Sequence, residues 1–207
     1  METQPRDRRG GRQRDPAADS AIIDAVLDLV AAGATLTGLS LVAIAKQAGV
    51  SRNSVYRRWK TKDELYLDVL ETINAPRSSP AGAGTRDDLA VLLRTLAERV
   101  ADTRASAMLR ALNAEAATFP RLHGRYFEEI VAPRREAMDS VLRRGVERGE
   151  IRPELDPGLI SELLVSPLLA RMASGATDRL DPERTARQIV DLVLDGAAAG
   201  AAPSPRP

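Results

Sequence analysis

The residues best suited to chemistry are concentrated in one short stretch. Between Ser40 and Lys62 the chain carries six positive side chains, Lys46, Arg52, Arg57, Arg58, Lys60 and Lys62, and no acidic one. Arg52, Asn53 and Ser54 follow one another directly, and this trio has a specific chemical use. Arg can form a paired hydrogen bond with guanine, Asn with adenine, and Ser is permissive. Tyr56, Arg57, Arg58 and Lys62, together with the Ser40 hydroxyl, suit phosphate oxygens. Other chemistries find little material. There is no cysteine and a single histidine, His123, which excludes disulfides, thiolate catalysis and cysteine-based zinc sites. No metal-ligand cluster or glycine-rich phosphate loop on a strand is visible, so no cofactor is expected and an α-helical enzyme is the least supported class. Asp24 and Asp28, four apart, read as a solvated helix face rather than a catalytic carboxylate pair.

The basic run is a local feature. Across 207 residues the formal net charge is only +1, and one concentrated basic segment in a near-neutral protein implies contact with a polyanion at one place. A hydrophobic content of 43% supplies a buried core for one or two domains. No segment reads as a secretory leader or approaches a membrane span, so a cytoplasmic protein without a membrane partner is expected. Residues 1–16 are read as a disordered basic arm. Its Arg6, Arg8, Arg9, Arg12 and Arg14 either lie along a nucleic-acid backbone or form a solvated tail.

The elements that must position the basic stretch follow from caps and periodicity. The first helix is expected to start with Asp19 or Ser20 as N-cap, to carry Ile22, Ile23, Val26, Leu27, Leu29 and Val30 at spacings of three, four and seven, and to end at Gly33. Ser40 caps a second helix that buries Ile44, Ala45 and Ala48. Gly49 permits a left-handed exit, Val50 plugs the core, and Ser51 caps a third helix over residues 52–59. At 100° per residue, Val55 and Trp59 turn to the core of that third helix, while Asn53, Ser54 and Arg57 face away. A major groove accepts one such helix, with its N-terminal residues reaching base edges.

Residues 20–70, above all LVAIAKQAGVSRNSVYRRWKTKDEL, resemble the DNA-binding domain of the TetR family of bacterial transcriptional regulators. The likeness rests on the turn Gly49-Val50-Ser51, on Tyr56 and Trp59, and on the 62–65 stretch that opens a fourth helix. It implies an all-α fold: an N-terminal three-helix DNA-binding domain with a helix-turn-helix, and a C-terminal helical ligand-binding and dimerisation domain. It further implies phosphate contacts at Ser40, Tyr56 and Lys62, and base reading at Arg52, Asn53 and Ser54. Asn53 departs from the small residue common at that place in the family, so its amide adds a possible adenine contact.

The domain reading is 17–73 for the DNA-binding head with its connecting helix, 74–85 for a Pro/Gly/Ser-rich linker, 86–196 for the body and 197–207 for a disordered tail. In the body, Thr85 and Asp88 suggest a capping box, and Pro133 should kink or split a helical span running from Pro120 to Val146. Asp156-Pro157 and Asp181-Pro182 open two final helices. Their apolar surface is wider than a one-sided stripe, which fits either deep burial within one chain or a second partner. The family resemblance implies the second: a homodimer through 156–196 on a palindromic double-stranded DNA operator, with half-sites about 34–36 Å apart or a multiple of that. It also implies a small-molecule effector in the body, with Met108, Leu112, Phe119, Tyr126 and Met138 as lining candidates and His123, Asn113 or Glu115 as polar partners. The reading is therefore a repressor released by its effector; the alternative is a DNA-binding regulator controlled by a protein partner.

Overall fold

The computed structural model describes residues 16–75, 79–177 and 180–197. The arginines of the N-terminal arm, residues 76–78 of the linker and residues 198–207 of the tail lie outside the described residues. The head comprises α1 (Pro16–Ala31), α2 (Leu41–Gln47), α3 (Arg52–Arg58) and the connecting α4 (Lys62–Asn74). The body comprises α5 (Thr85–Ala101), α6 (Thr103–Ala114), α7 (Pro120–Tyr126), a π-helical turn (Phe127–Val131), α8 (Ala132–Glu147), α9 (Pro157–Ser174) and α10 (Pro182–Ala197). The fold is all-α, a helix-turn-helix head on a helical body.

Local sequence accounts for most of these elements. Ser40 and Ser51 cap α2 and α3 as expected, each accepting from the amide three residues on at 3.1 Å, and Gly49 has the left-handed φ of 66° that the sharp exit needs. α1 differs from expectation by starting at Pro16, where the ring pre-sets the helical φ. Asp19 consequently lies inside its first turn, with its carboxylate on Arg58. Before α4, Thr61 is an N-cap that bonds the Glu64 amide at 3.2 Å, and the Glu64 carboxylate reaches back to the Lys60 amide at 2.8 Å. This reciprocal arrangement of Thr61 and Glu64 resembles a capping box.

Two body expectations change in detail. Thr85 is not an N-cap but the first residue of α5, and its side chain is buried. Its amide donates to Glu150 at 3.2 Å and its hydroxyl receives Arg148 at 2.8 Å, so the α5 start is satisfied by the segment after α8. Asp88 accepts from the Gly82 amide at 3.0 Å instead of closing a box with Thr85. At Pro133 the helical span does divide, by way of the π turn, in which the Ala132 amide reaches the Phe127 carbonyl five residues back. The wider turn is a way to accommodate a ring that would collide with the carbonyl four residues before it. Pro167, by contrast, is carried inside α9 on an exposed face without ending the helix.

The core is continuous from head to body. α1 buries Ile22, Val26, Leu27 and Val30, α4 buries Leu65, Tyr66, Val69 and Leu70, and both meet α6 through this shared apolar interior. α5 is the central body helix, flanked by α8, α9 and α10. Among the described residues no helix is long and apolar enough to cross a membrane.

Candidate nucleic-acid interface

α3 is held from below and left open above. Val55 is fully buried and Trp59 is 5% exposed, and the Trp59 indole N–H donates to Asp68 of α4 at 2.7 Å. The apolar side therefore fixes the helix while Arg52, Asn53, Tyr56 and Arg57 face solvent. The Arg52 guanidinium lies over the Tyr56 ring, 5.0 Å from its centroid, and donates to the Tyr56 hydroxyl at 3.3 Å. Stacking of this kind limits the freedom of a long side chain before any partner arrives. Ser54 is half-buried and its hydroxyl is 2.9 Å from that of Ser51, which turns it toward the cap. Ser40 is exposed, with its oxygen on the Ala43 amide.

Arg58 does not belong to the open face. Its side chain is 6% exposed and turned inward, ion-paired with Asp19 of α1 and donating to the Ser54 carbonyl at 3.0 Å. The expected phosphate contact at Arg58 is thus corrected: the side chain ties α3 to α1. Lys62 is half-buried and also has an internal role. Its ammonium donates to the carbonyls of Thr37 at 2.8 Å and Leu36 at 3.3 Å, in the loop that leads into Ser40.

The amides of that same loop are held from the body. The Glu115 carboxylate at the end of α6 accepts from Leu36 N at 2.6 Å, Thr37 N at 2.9 Å and the Thr37 hydroxyl at 2.6 Å. Burial pushes the Glu115 carboxyl up, but its hydrogen bonds to Thr37 and Leu36 and the nearby Lys62 outweigh this and leave it below its ordinary value. Tyr66 donates to the Leu36 carbonyl at 2.7 Å. Burial, with Glu115 and Asp63 nearby, raises the pKa of this phenol, so it remains a donor. Tyr66 was not singled out from sequence, although an aromatic hydroxyl within an apolar helical face is a signal for a buried polar contact. Asp24 and Asp28 also prove to be more than a solvated face: Arg104 of α6 reaches them at 3.1 and 2.9 Å.

The expected effector lining is part of the packed interior. Met108 and Leu112 are fully buried and Met138 nearly so, while Phe119 and Tyr126 pack against the same core. Phe119 meets Tyr66 edge to face at 6.0 Å. Of the expected polar partners, Asn113 is exposed, His123 lies 4.8 Å from the Phe127 ring, and Glu115 faces the head, which corrects its assignment to an effector. A crevice of about 480 Å³ opens elsewhere, between α1, α4 and the α5–α6 corner, against Ile23, Leu27, Ile73, Arg99 and Arg104. None of the five lining candidates borders it.

The helix-turn-helix and its helical body match known proteins over most of their length. Residues 27–69 match the family model for bacterial regulatory proteins of the tetR family, and residues 80–193, more than half of the chain, match the model for the Tetracyclin repressor-like C-terminal domain. The chain belongs to the TetR family. It is a DNA-binding transcriptional regulator of the TetR type. Its relatives include the uncharacterized HTH-type regulator YdeS of Bacillus subtilis, 25% identical over 162 residues that cover 78% of this chain and 81% of YdeS. The fold is shared with FadR from Bacillus subtilis in complex with stearoyl-CoA, at a TM-score of 0.68 and 19% identity over 86% of this chain and 98% of that one. It is shared too with SmeT in its triclosan complex, at a TM-score of 0.69 and 21% identity over 92% and 99% of the two chains.

Proposed function

We propose that this TetR-type protein is a homodimeric repressor that holds a palindromic operator and releases it when a small molecule enters the body. The observation that carries the reading is the acid-free outer face of α3, where Arg52, Asn53, Tyr56 and Arg57 are exposed above a helix anchored by Val55 and Trp59. In this reading Arg52, Asn53 and Ser54 read bases. Ser40, Tyr56, Arg57 and Lys62 bind phosphates, Lys62 keeping one ammonium proton beyond the two it gives to Thr37 and Leu36.

Dimerisation is supported by apolar side chains that α9 and α10 leave uncovered: Leu159 at 53% exposure, Leu163 at 51% and Leu192 at 77%. A second copy laying its own α9 and α10 on this face would bury them and impose the two-fold symmetry that a palindrome matches. Effector control draws on the ligands held by the fold neighbours, stearoyl-CoA on FadR and triclosan on SmeT. Here the effector would part Met108, Leu112, Phe119, Tyr126 and Met138, where the two flexible methionines ease repacking. It must favour the operator-incompetent arrangement, since only differential affinity shifts the equilibrium.

Selection of binding sites from random DNA with the purified full chain tests this reading. The expected product is a palindrome, and loss of the protein from that site on adding a metabolite identifies the effector. Failure to enrich any symmetric site overturns the operator reading. Release by a protein fraction, with no metabolite active, replaces the small molecule by a protein partner.

A further inference from the structure

The Leu36-Thr37 segment is gripped from two sides by different domains. Its amides and the Thr37 hydroxyl point to the Glu115 carboxylate of the body, at 2.6, 2.9 and 2.6 Å. Its carbonyls receive Lys62 and Tyr66, both from α4. Three residues further on stands Ser40, the N-cap of α2. A carboxylate that accepts three hydrogen bonds from one dipeptide fixes that dipeptide in direction as well as position, because such charge-assisted bonds are short and strong.

Glu115 sits where the body can report on itself. It follows α6, which carries Met108 and Leu112 in the interior, and precedes Phe119, whose ring meets Tyr66 edge on. A shift of the α6 end therefore moves Glu115 and Phe119 together, against the loop and against α4. Arg104, at the other end of α6, holds Asp24 and Asp28 of α1. Those pairs are about half exposed, so each contributes little alone. The loop contact is the more directional of the two.

We propose that Glu115 is a positioning residue for operator recognition: it latches the α1–α2 loop to the end of α6 and so fixes the orientation of the reading head on the body. This rests on the reading of the protein as a dimer on a two-part operator. The latch leaves base reading within each head untouched and sets how two heads are spaced. In a two-site complex, geometry that no longer allows both heads to engage at once loses the gain from joint binding, while each single contact survives.

The test compares the full chain with Glu115→Gln and Glu115→Ala on DNA selected by the unaltered protein, using a complete site, a single half-site, and complete sites with one base pair inserted or removed at the centre. Both variants are expected to bind the complete site about tenfold more weakly, a typical coupling factor between sites. They are also expected to keep half-site affinity within about twofold and to discriminate less against altered spacing. Thr37→Val, which removes one of the three donors, should fall between them and the unaltered chain. Equal losses on complete and half-sites would mean that Glu115 only supports the head fold, and unchanged spacing discrimination would mean that the latch does not set head orientation; either result overturns the inference. If the unaltered protein selects no two-part site, the underlying operator reading fails instead.

Discussion

Arg58 of α3 is ion-paired with Asp19 of α1. With the Arg58 side chain only 6% exposed and Asp19 at 29%, removing either partner leaves a charge in a largely dry site. Arg58→Ala is expected to destabilise the protein by about 3 kcal/mol, the low end for a broken buried pair because Asp19 retains some water. Denaturant unfolding measures this. The same variant, assayed below its unfolding transition, should keep the unaltered salt dependence of DNA binding, since no phosphate contact is lost.

Arg57 is the contrasting case, one step along the helix and exposed. Arg57→Ala should weaken binding to all sequences and flatten the log-log salt dependence by about 0.9. Filter binding across a salt series would show it, and an unchanged slope removes Arg57 from the phosphate contacts.

Asn53 is exposed in the first turn of α3, whereas Val55 on the same helix is buried. Asn53→Ala is expected to relax preference at one base pair per half-site, by about 1–3 kcal/mol of discrimination, with the remaining positions unchanged. Site selection with the variant reads this directly, and an identical sequence preference would remove Asn53 from base reading.

The helix-turn-helix was legible because its determinants are local. Ser40, Gly49 and Ser51 set caps and a turn within a few residues, and the spacing of Val55 and Trp59 names the buried side. Arg58 was misread for the same reason: no acidic residue lies within four positions of it, and its partner Asp19 is 39 positions away. Glu115 meets Leu36 across 79 positions, and Thr85 meets Glu150 across 65, so neither pairing leaves a trace in periodicity. The interior of the body was visible as apolar spacing at Met108, Leu112 and Met138. Whether such residues close on one another or enclose a space depends on how helices from distant segments approach, which spacing along one helix does not encode.

The Glu115 contact carries a pH signature. Its carboxyl is held below the ordinary value in the folded chain, so the unfolded state takes up a proton at higher pH than the folded state does. The stabilisation is therefore complete above the ordinary glutamate range and is lost as pH falls through the folded value. Thermal unfolding of the unaltered chain and Glu115→Gln should differ most near neutrality and converge in acid. A constant gap at all pH values would show that the charge on Glu115 contributes nothing.

Gly145 of α8 marks a close approach that no nearby sequence signal explains. A Cβ placed there would stand 2.7 Å from the Thr85 hydroxyl and 3.0 Å from both the Thr85 methyl and Ile151 Cδ1. Thr85 has little room to move, being buried and bonded to Arg148 and Glu150. Alanine gains about 1 kcal/mol over glycine from helix propensity, whereas forced overpacking costs about 1–3 kcal/mol. The clash is expected to win, so Gly145→Ala should lower stability by about 1 kcal/mol in urea unfolding with the slope unchanged. Thr85→Ala in the same chain removes two of the three clashing atoms, so adding it should cost less than Thr85→Ala does alone. Purely additive effects would show that the helix end had shifted to make room without Thr85.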